Sequence, residues 1–194
     1  STKFYYDYVK EWLGFDVVNM GVSGTGYKNR DDVVNPTTDG AFYQRATQIP
    51  VDSDVVTIFG SFNDITQGHT LGTPGDTGTT TICGCIKATI EAIYAINPAM
   101  KLGIIAPCPW KELNPSNESA VAYVEALHDI CMQNSIPFLN LFYESGLRPW
   151  IREVRDLVYN QDAQTDGDYH GTHPNAIGHE MIASKIKEFL KTLI

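Results

Sequence analysis

Three short segments, 19–24, 59–64 and 170–175, carry residue types that acyl-transfer chemistry needs. Acyl transfer through a tetrahedral intermediate requires hydrogen-bond donors aimed at the oxygen that becomes negative. A turn glycine such as Gly24 exposes its backbone N–H without a Cβ in the way, and an asparagine such as Asn63 supplies side-chain N–H groups. A plain turn glycine and a loop cap would explain either residue alone equally well, but their occurrence together leads us to predict that Gly24 and Asn63 form an oxyanion hole.

His173 is the predicted general base. It precedes Pro174 at the expected start of a helix, which would present the imidazole from a rigid platform. Asp64, beside Asn63, is expected to support its turn by accepting backbone N–H bonds. The remaining histidines lie on helices or in a loop, where solvated or packing roles are more common: His69, His128 and His179.

The elements that must position these residues follow from hydrophobic periodicity. Short apolar runs predict buried strands at 15–20, 54–59, 102–106 and 137–142. Apolar residues spaced three and four apart predict helices at 3–13, 41–49, 81–96, 116–133, 148–158 and from Pro174 onward, with an irregular loop at 159–172. Strands that alternate with helices indicate a doubly wound α/β fold with a parallel sheet covered on both faces. Ligands of such sheets lie beyond the carboxyl ends of the strands.

Two of the predicted helices have well-defined core stripes. The helix at 81–96 is expected to bury Ile82, Ile86, Ile90 and Ile93. The last helix is expected to bury Ile177, Met181, Ile182, Ile186, Phe189, Leu190 and Leu193.

Length and charge limit the classes of function. A chain of 194 residues predicts one domain spanning 1–194. With 14 Lys and Arg against 23 Asp and Glu, the net charge of −9 disfavours nucleic acid as a partner. No apolar stretch is long enough to suggest a membrane span. We expect a small-molecule or carbohydrate ester as the partner, and neither a cofactor nor a metal.

The four cysteines are too few for a disulfide scaffold and are expected to be small buried side chains: Cys83, Cys85, Cys108 and Cys131. Their pattern is typical of a reducing compartment, and the visible chain favours the cytoplasm while leaving secretion open.

Together, the three segments resemble blocks two, three and five of the SGNH (GDSL-type) hydrolases. The resemblance rests on Asn19-Met-Gly-Val-Ser-Gly24, on Gly60-Ser-Phe-Asn63-Asp64 and on His173-Pro-Asn, in the right order along nearly the whole chain. It implies a flavodoxin-like, three-layer α/β/α fold and serine esterase or acyl hydrolase activity. It also implies that Gly24 and Asn63 are the oxyanion residues and that His173 is the catalytic histidine.

The family's first block, a Gly-Asp-Ser that holds the nucleophilic serine, has no match in this chain. The resemblance therefore predicts that the natural protein begins before Ser1 and that the first strand, which would lie between 15–20 and 54–60, is absent here. Its absence predicts either a gap or a re-paired sheet. Ser23 is a second candidate nucleophile, because its surroundings partly match the G-x-S-x-G elbow, but a structural hydroxyl is favoured.

The family's fifth block reads Asp-x-x-His, whereas this chain has His170-Gly-Thr-His173. The acceptor that orients the base would then be Asp168, Asp166, His170 itself or a backbone carbonyl, and we predict Asp168. An alternative takes Asp168, His170 and His173 as metal ligands.

The resulting prediction is a serine esterase or deacylase that removes small acyl groups from a sugar or a similar polar substrate. Trp110 and Trp150 lie in or near the expected site loops and would suit stacking on sugar rings, although core packing explains them equally well. The alternative is a binding or structural module that kept the fold and lost catalysis.

Overall fold

The structure is a computed structural model and describes residues 3–28, 35, 40–161, 164–165, 168–169 and 171–194. The backbone alone is described for 164–165 and 168–169. The described helices are α1 (Tyr5–Leu13), α2 (Phe42–Arg45), α3 (Asn63–Thr66), α4 (Ile82–Ile96), α5 (Glu118–Gln133), α6 (Leu141–Glu144), α7 (Arg152–Val158) and α8 (Ala176–Lys191). A 3-10 turn, Ala46–Gln48, follows α2.

Three strands form a parallel sheet in the order β1 (Val55–Phe59), β2 (Lys101–Ile105) and β3 (Phe138–Leu139). Val55 lies opposite Lys101 and Phe59 lies opposite Ile105, so β1 and β2 pair along their full length. Helices flank the sheet, which confirms the predicted α/β fold class. A separate antiparallel pair joins β4 (Gln164–Thr165) to β5 (Asp168–Tyr169).

Backbone contacts divide the chain into two compact units. The sheet unit comprises the described residues of Gly21–Pro107, Ala122–Phe138 and Leu193–Ile194. The helical unit comprises the described residues of Ser1–Met20, Cys108–Val121 and Leu139–Thr192. That the whole chain is one domain stays a prediction.

In the sheet unit, α4 supplies much of the core. The four isoleucines predicted for its stripe are all buried, as are Cys83 and Cys85 on the same helix. Thr81 caps the helix by accepting a hydrogen bond from the N–H of Gly84 at 3.2 Å. The periodicity of this segment thus predicted both the helix and its buried face.

In the helical unit, α1 packs against α8. Gly14 ends α1 with φ of +69°, a conformation that favours glycine. Most of the predicted α8 stripe is buried, but Ile177 is exposed, which corrects that part of the prediction: the buried face begins at Gly178, four residues before Ile182, and Ile177 lies beside that face. Among the described residues, the structure contains no helix long and apolar enough to cross a membrane.

The predicted strand at 15–20 is wrong. The structure forms no strand there, and Val17 and Val18 are exposed. An apolar run becomes a strand only where a neighbouring strand takes up its backbone hydrogen bonds, and composition does not reveal whether that neighbour is present. The described parallel sheet accordingly has three strands instead of four.

Other boundaries also differ from the predictions, and the helix predicted at 148–158 begins only at Arg152. The strand predicted at 137–142 is only the two residues of β3, because the chain turns into α6 at Leu141. The region 159–172, predicted to be irregular, contains the short β4–β5 pair. Buried aromatic and aliphatic residues at a strand end and at a following helix look alike in sequence, so periodicity could not separate β3 from α6.

Candidate active site

The predicted oxyanion glycine lies in a tight turn of the sheet unit. The backbone N–H and the hydroxyl of Thr25 both donate to the carbonyl oxygen of Val22, at 3.3 Å and 2.7 Å. Gly24 occupies the third position of this turn with φ of +73°, which favours glycine. Its N–H donates to no other residue that the structure describes, so this donor is available to a ligand.

Asn63 approaches the same turn from the start of α3. Its side-chain amide nitrogen donates to the carbonyl oxygen of Thr25 at 2.9 Å. An asparagine amide has two N–H groups, and within the described part of the chain only this bond is made. The side chain of Gln67, one turn further on, donates to the carbonyl oxygen of Gly24 at 2.8 Å. The structure therefore brings Asn63 to the turn that contains Gly24.

Asp64 holds the segment that follows this turn. Its carboxylate accepts backbone N–H bonds from Tyr27 at 3.0 Å and Lys28 at 2.8 Å, and Tyr123 donates its hydroxyl at 3.5 Å. Gly26 is needed for this approach, because a Cβ there would lie 2.5 Å from a carboxylate oxygen. Burial raises the pKa of Asp64, and the two backbone bonds partly offset that rise. The contacts agree with the supporting role predicted for this residue.

Asp64→Asn is expected to lower the free energy of unfolding by ~1–3 kcal/mol at pH 7, since an amide would point a donor at one of the two backbone N–H groups. The raised pKa means that, as the pH falls, the folded state takes up a proton before the unfolded state does. The carboxyl therefore stabilises the fold progressively below its folded-state pKa, and fully below its unfolded pKa. Urea unfolding should show the advantage of the wild type growing between pH 7 and pH 4.

The matched control for this prediction is Asp52→Asn, because Asp52 is an exposed aspartate of the same unit. This variant should change the unfolding free energy by less than ~0.5 kcal/mol at either pH. A difference between wild type and Asp64→Asn that stays constant with pH would contradict the raised pKa.

His173, the predicted base, lies in the helical unit with its side chain exposed. Its carbonyl oxygen accepts the backbone N–H of Asn160 at 2.8 Å, and Pro174 pairs with Tyr159 in an isolated bridge. The hydroxyl of Thr172 lies 3.4 Å from Nδ1 of the imidazole. The backbone is thus fixed while the ring reaches solvent, as a general base requires.

Asn175, two residues after His173, connects the His173 segment to the start of α8 through hydrogen bonds. Its side-chain oxygen accepts the N–H groups of Ile177 at 2.9 Å and Gly178 at 3.1 Å, and its amide donates to the carbonyl of Leu157 at 2.9 Å. Asn175 is therefore the N-cap of α8, and the prediction that Pro174 lies in its first turn is wrong. Asparagine is a preferred cap, so the sequence held the signal that identifies this residue.

Gly171, two residues before His173, lies close to the buried side chain of Arg155. Gly171 has φ of +59°, and a Cβ there would lie 2.7 Å from Cδ of Arg155 and 3.2 Å from Cβ of Pro149. Arg155 donates to the carbonyl oxygen of Pro149 at 2.7 Å. Glycine at 171 permits this close approach, which fixes where the chain enters the His173 segment.

The acceptor predicted to orient His173 falls where little is described. Asp168 is the first residue of β5, opposite Thr165, and only its backbone is described. Asp166 and His170, the other candidates, lie outside the described residues. The same limit applies to the metal-site alternative built from Asp168, His170 and His173. The role of Asp168 stays a prediction.

His179 is a second imidazole near His173 that the sequence did not single out. It is half-buried, with ring centroids 5.1 Å from Phe4 and 6.2 Å from Tyr5. Burial lowers the pKa of His179, and the nearby His173 lowers it further. A half-buried imidazole in contact with two aromatic rings agrees with the packing role, one of the two roles predicted for this histidine.

Comparison with known proteins places this architecture in context. A model of the GDSL-like lipase/acylhydrolase family matches residues 1–181. No curated protein sequence matches the chain. A solved structure from Lactobacillus plantarum is 22% identical, with a TM-score of 0.80 over 98% of this chain and 88% of that chain.

Two solved esterases are also similar in fold. The native aryl esterase of M. smegmatis is 17% identical, with a TM-score of 0.62 over 98% of this chain and 86% of that chain. An acetylxylan esterase from Geobacillus stearothermophilus, solved as a catalytic mutant, is 20% identical, with a TM-score of 0.51 over 97% of this chain and 81% of that chain.

Proposed function

The chain belongs to the GDSL-like lipase/acylhydrolase family, and on that premise we propose that it is a serine esterase that removes small acyl groups from a carbohydrate ester. The observation that supports this most directly is the pair of donors at one turn, the N–H of Gly24 and the second amide N–H of Asn63. Two such donors stabilise the oxyanion of a tetrahedral intermediate.

In the proposed reaction, His173 takes the proton of a serine hydroxyl as that oxygen attacks the ester carbonyl. The carbonyl oxygen becomes negative and is bound by Gly24 and Asn63. His173 then gives its proton to the departing alcohol, which leaves an acyl-enzyme. Water, deprotonated by the same imidazole, releases the acid and restores the serine.

The names of two neighbours of similar fold support an acyl ester as the substrate class, since one is an aryl esterase and the other an acetylxylan esterase. The experiment is hydrolysis of p-nitrophenyl acetate and of acetylated xylo-oligosaccharides by the purified natural protein, since no serine of this chain matches the family's nucleophile, together with labelling by a fluorophosphonate. Hydrolysis with serine labelling is expected. Absence of both would overturn the esterase proposal.

A second candidate function is a non-catalytic binding module of the same fold. It is favoured by His170, which stands where the family has the aspartate that orients its base. A histidine there carries no fixed negative charge to stabilise an imidazolium. A well-folded natural protein that binds acetylated oligosaccharides without hydrolysing them or reacting with the fluorophosphonate would establish this candidate instead.

Ser23→Ala is expected to leave hydrolysis and labelling within about twofold of wild type. Ser23 is exposed, and the turn that contains it is closed by Val22 and Thr25, not by the Ser23 hydroxyl. The measurement is kcat/KM with peptide mapping of the labelled site. Loss of labelling, with the wild-type label mapped to Ser23, would make this residue the nucleophile.

Trp150→Ala is expected to raise KM for acetylated xylo-oligosaccharides by about fivefold to tenfold, because an aromatic face contributes ~1 kcal/mol when it stacks on a ring. Trp150 is 43% exposed and follows Pro149, which contacts the loop before His173. KM for p-nitrophenyl acetate should stay unchanged. Trp150→Phe is the matched control and should keep most of the affinity; equal losses on both substrates would argue for core packing.

A further inference from the structure

A buried arginine is joined by hydrogen bonds to the turn that carries both proposed oxyanion donors. We propose that Arg45 and Thr25 are positioning residues, which hold Asn63 and the Gly24 turn in the geometry that oxyanion binding needs. This inference rests on the proposed esterase function and assigns a role to two residues that touch neither substrate nor the reacting atoms.

Arg45, at the end of α2, is 7% exposed. Its Nε donates to the carbonyl oxygen of Gly40 at 2.9 Å, and its Nη2 donates to the hydroxyl oxygen of Thr25 at 3.0 Å. A guanidinium is a planar fork, so these two bonds fix the hydroxyl of Thr25 relative to the chain at Gly40. Lysine, with one terminal nitrogen, cannot reproduce both bonds in that plane.

The hydrogen bond from Arg45 also determines the direction in which the Thr25 hydroxyl donates its own proton. Because arginine can only donate, the hydroxyl of Thr25 accepts from it and directs its own proton to the carbonyl oxygen of Val22, at 2.7 Å. That bond closes the turn containing Gly24. Thr25 is 4% exposed, so water does not compete for these groups.

The backbone of Thr25 holds the second donor. Its carbonyl oxygen accepts one amide N–H of Asn63 at 2.9 Å, which sets the rotation of the amide and therefore the direction of the other N–H. A single buried residue thus orients the Gly24 turn through its side chain and Asn63 through its backbone. The hydroxyl of Thr25 should accordingly affect the rate of ester hydrolysis without contacting the substrate.

The test compares Thr25→Val, which removes the hydroxyl, with Thr25→Ser, which keeps it. Thr25→Val is expected to lower kcat for p-nitrophenyl acetate by ~10- to 100-fold with KM within about twofold, because displaced donors lose transition-state contacts specifically. Thr25→Ser should stay within about threefold of wild type. Equal activity of the two variants, or a loss confined to KM, would overturn the proposal.

A double variant separates positioning from general damage to the structure. If Thr25 acts partly through Asn63, Thr25→Val should cost at least about threefold less in an Asn63→Ala background than in the wild type. Losses that simply multiply would overturn the coupling. Arg45→Lys keeps the charge and loses the fork, so it should also lower kcat, and unchanged kcat would remove Arg45 from the arrangement.

Hydrogen exchange of the Asn63 side-chain amide can be measured without any activity. It therefore tests the positioning role in variants that fold poorly, and it separates that role from the proposed esterase function. In the side-chain NMR spectrum, one amide proton of Asn63 should exchange slowly in wild type and Thr25→Ser, and faster in Arg45→Lys and Thr25→Val. Equal exchange in all four proteins would overturn the positioning role. Slow exchange in a wild type that hydrolyses no ester would contradict the esterase function and leave the positioning geometry standing.

Discussion

His173→Ala is expected to lower kcat for p-nitrophenyl acetate by ~10⁴-fold or more, the size of effect seen when the base of a serine–histidine pair is removed. Without an imidazole, no group accepts the serine proton as the acyl-enzyme forms. The backbone at His173 is fixed by Asn160 and by the Tyr159–Pro174 bridge. Alanine should therefore leave the fold intact, which circular dichroism and thermal unfolding can check.

His128→Ala is the matched control for this prediction. His128 is an exposed histidine on α5, and its removal should change kcat and KM by less than about twofold. If His173→Ala retains wild-type hydrolysis, the assignment of the base is wrong. If His173→Ala and His128→Ala lose activity equally, the loss is not specific to His173 and does not identify it as the base.

The sequence predicted best the elements whose burial is periodic. The isoleucines of α4 recur on one face of a helix, and this spacing alone located both the helix and its core. The strands β1 and β2 were located by apolar runs bounded by turn residues. In these cases local pattern and tertiary environment agree, so the pattern is sufficient.

The segment 15–20 shows why the same reasoning fails elsewhere. Its apolar run is as strong as that of β1, yet no strand forms. Strand formation depends on hydrogen bonds to a neighbour that can be distant in sequence, and periodicity contains no information about that neighbour. Ile177 is a similar case, because an apolar side chain at the edge of a helical stripe can lie outside the buried face, which here begins at Gly178.

The candidate site also has features that the sequence predicts and features that only the structure shows. Residue types at strand ends were enough to select Gly24, Asn63 and His173 as candidates. The contacts that give the first two a common geometry join residues 38 positions apart, as in the bond from Asn63 to Thr25. Such bonds arise from tertiary structure, so the sequence offered no sign of Arg45. The roles of the three candidates and of Asp168 stay predictions until variants are measured.

Asn63→Ala is expected to lower kcat for p-nitrophenyl acetate by ~10²–10³-fold, which corresponds to ~3–4 kcal/mol of transition-state stabilisation from one oxyanion donor. KM should change little, because the carbonyl oxygen of the ground state carries less charge than the oxyanion. The lost bond to Thr25 should cost ~1 kcal/mol of stability, too little to unfold the chain.

Asn63→Asp makes the same prediction sharper, because it keeps the size of the side chain and replaces its donors with a negative charge. If Asn63 only shapes the turn through its bond to the Thr25 carbonyl, both variants should lose stability, because neither Ala nor Asp can donate that bond, while kcat should fall by less than about tenfold. If Asn63 binds the oxyanion, Asp should be at least as damaging as Ala, since a carboxylate repels the developing charge and accepts where a donor is needed. Asn134→Ala is the control: Asn134 is exposed just after α5, bonds to the carbonyl oxygen of Ile130 at 2.8 Å, and should leave kcat unchanged. The size of the loss in kcat, compared with the loss in unfolding free energy, therefore separates an oxyanion donor from a turn residue within one set of variants.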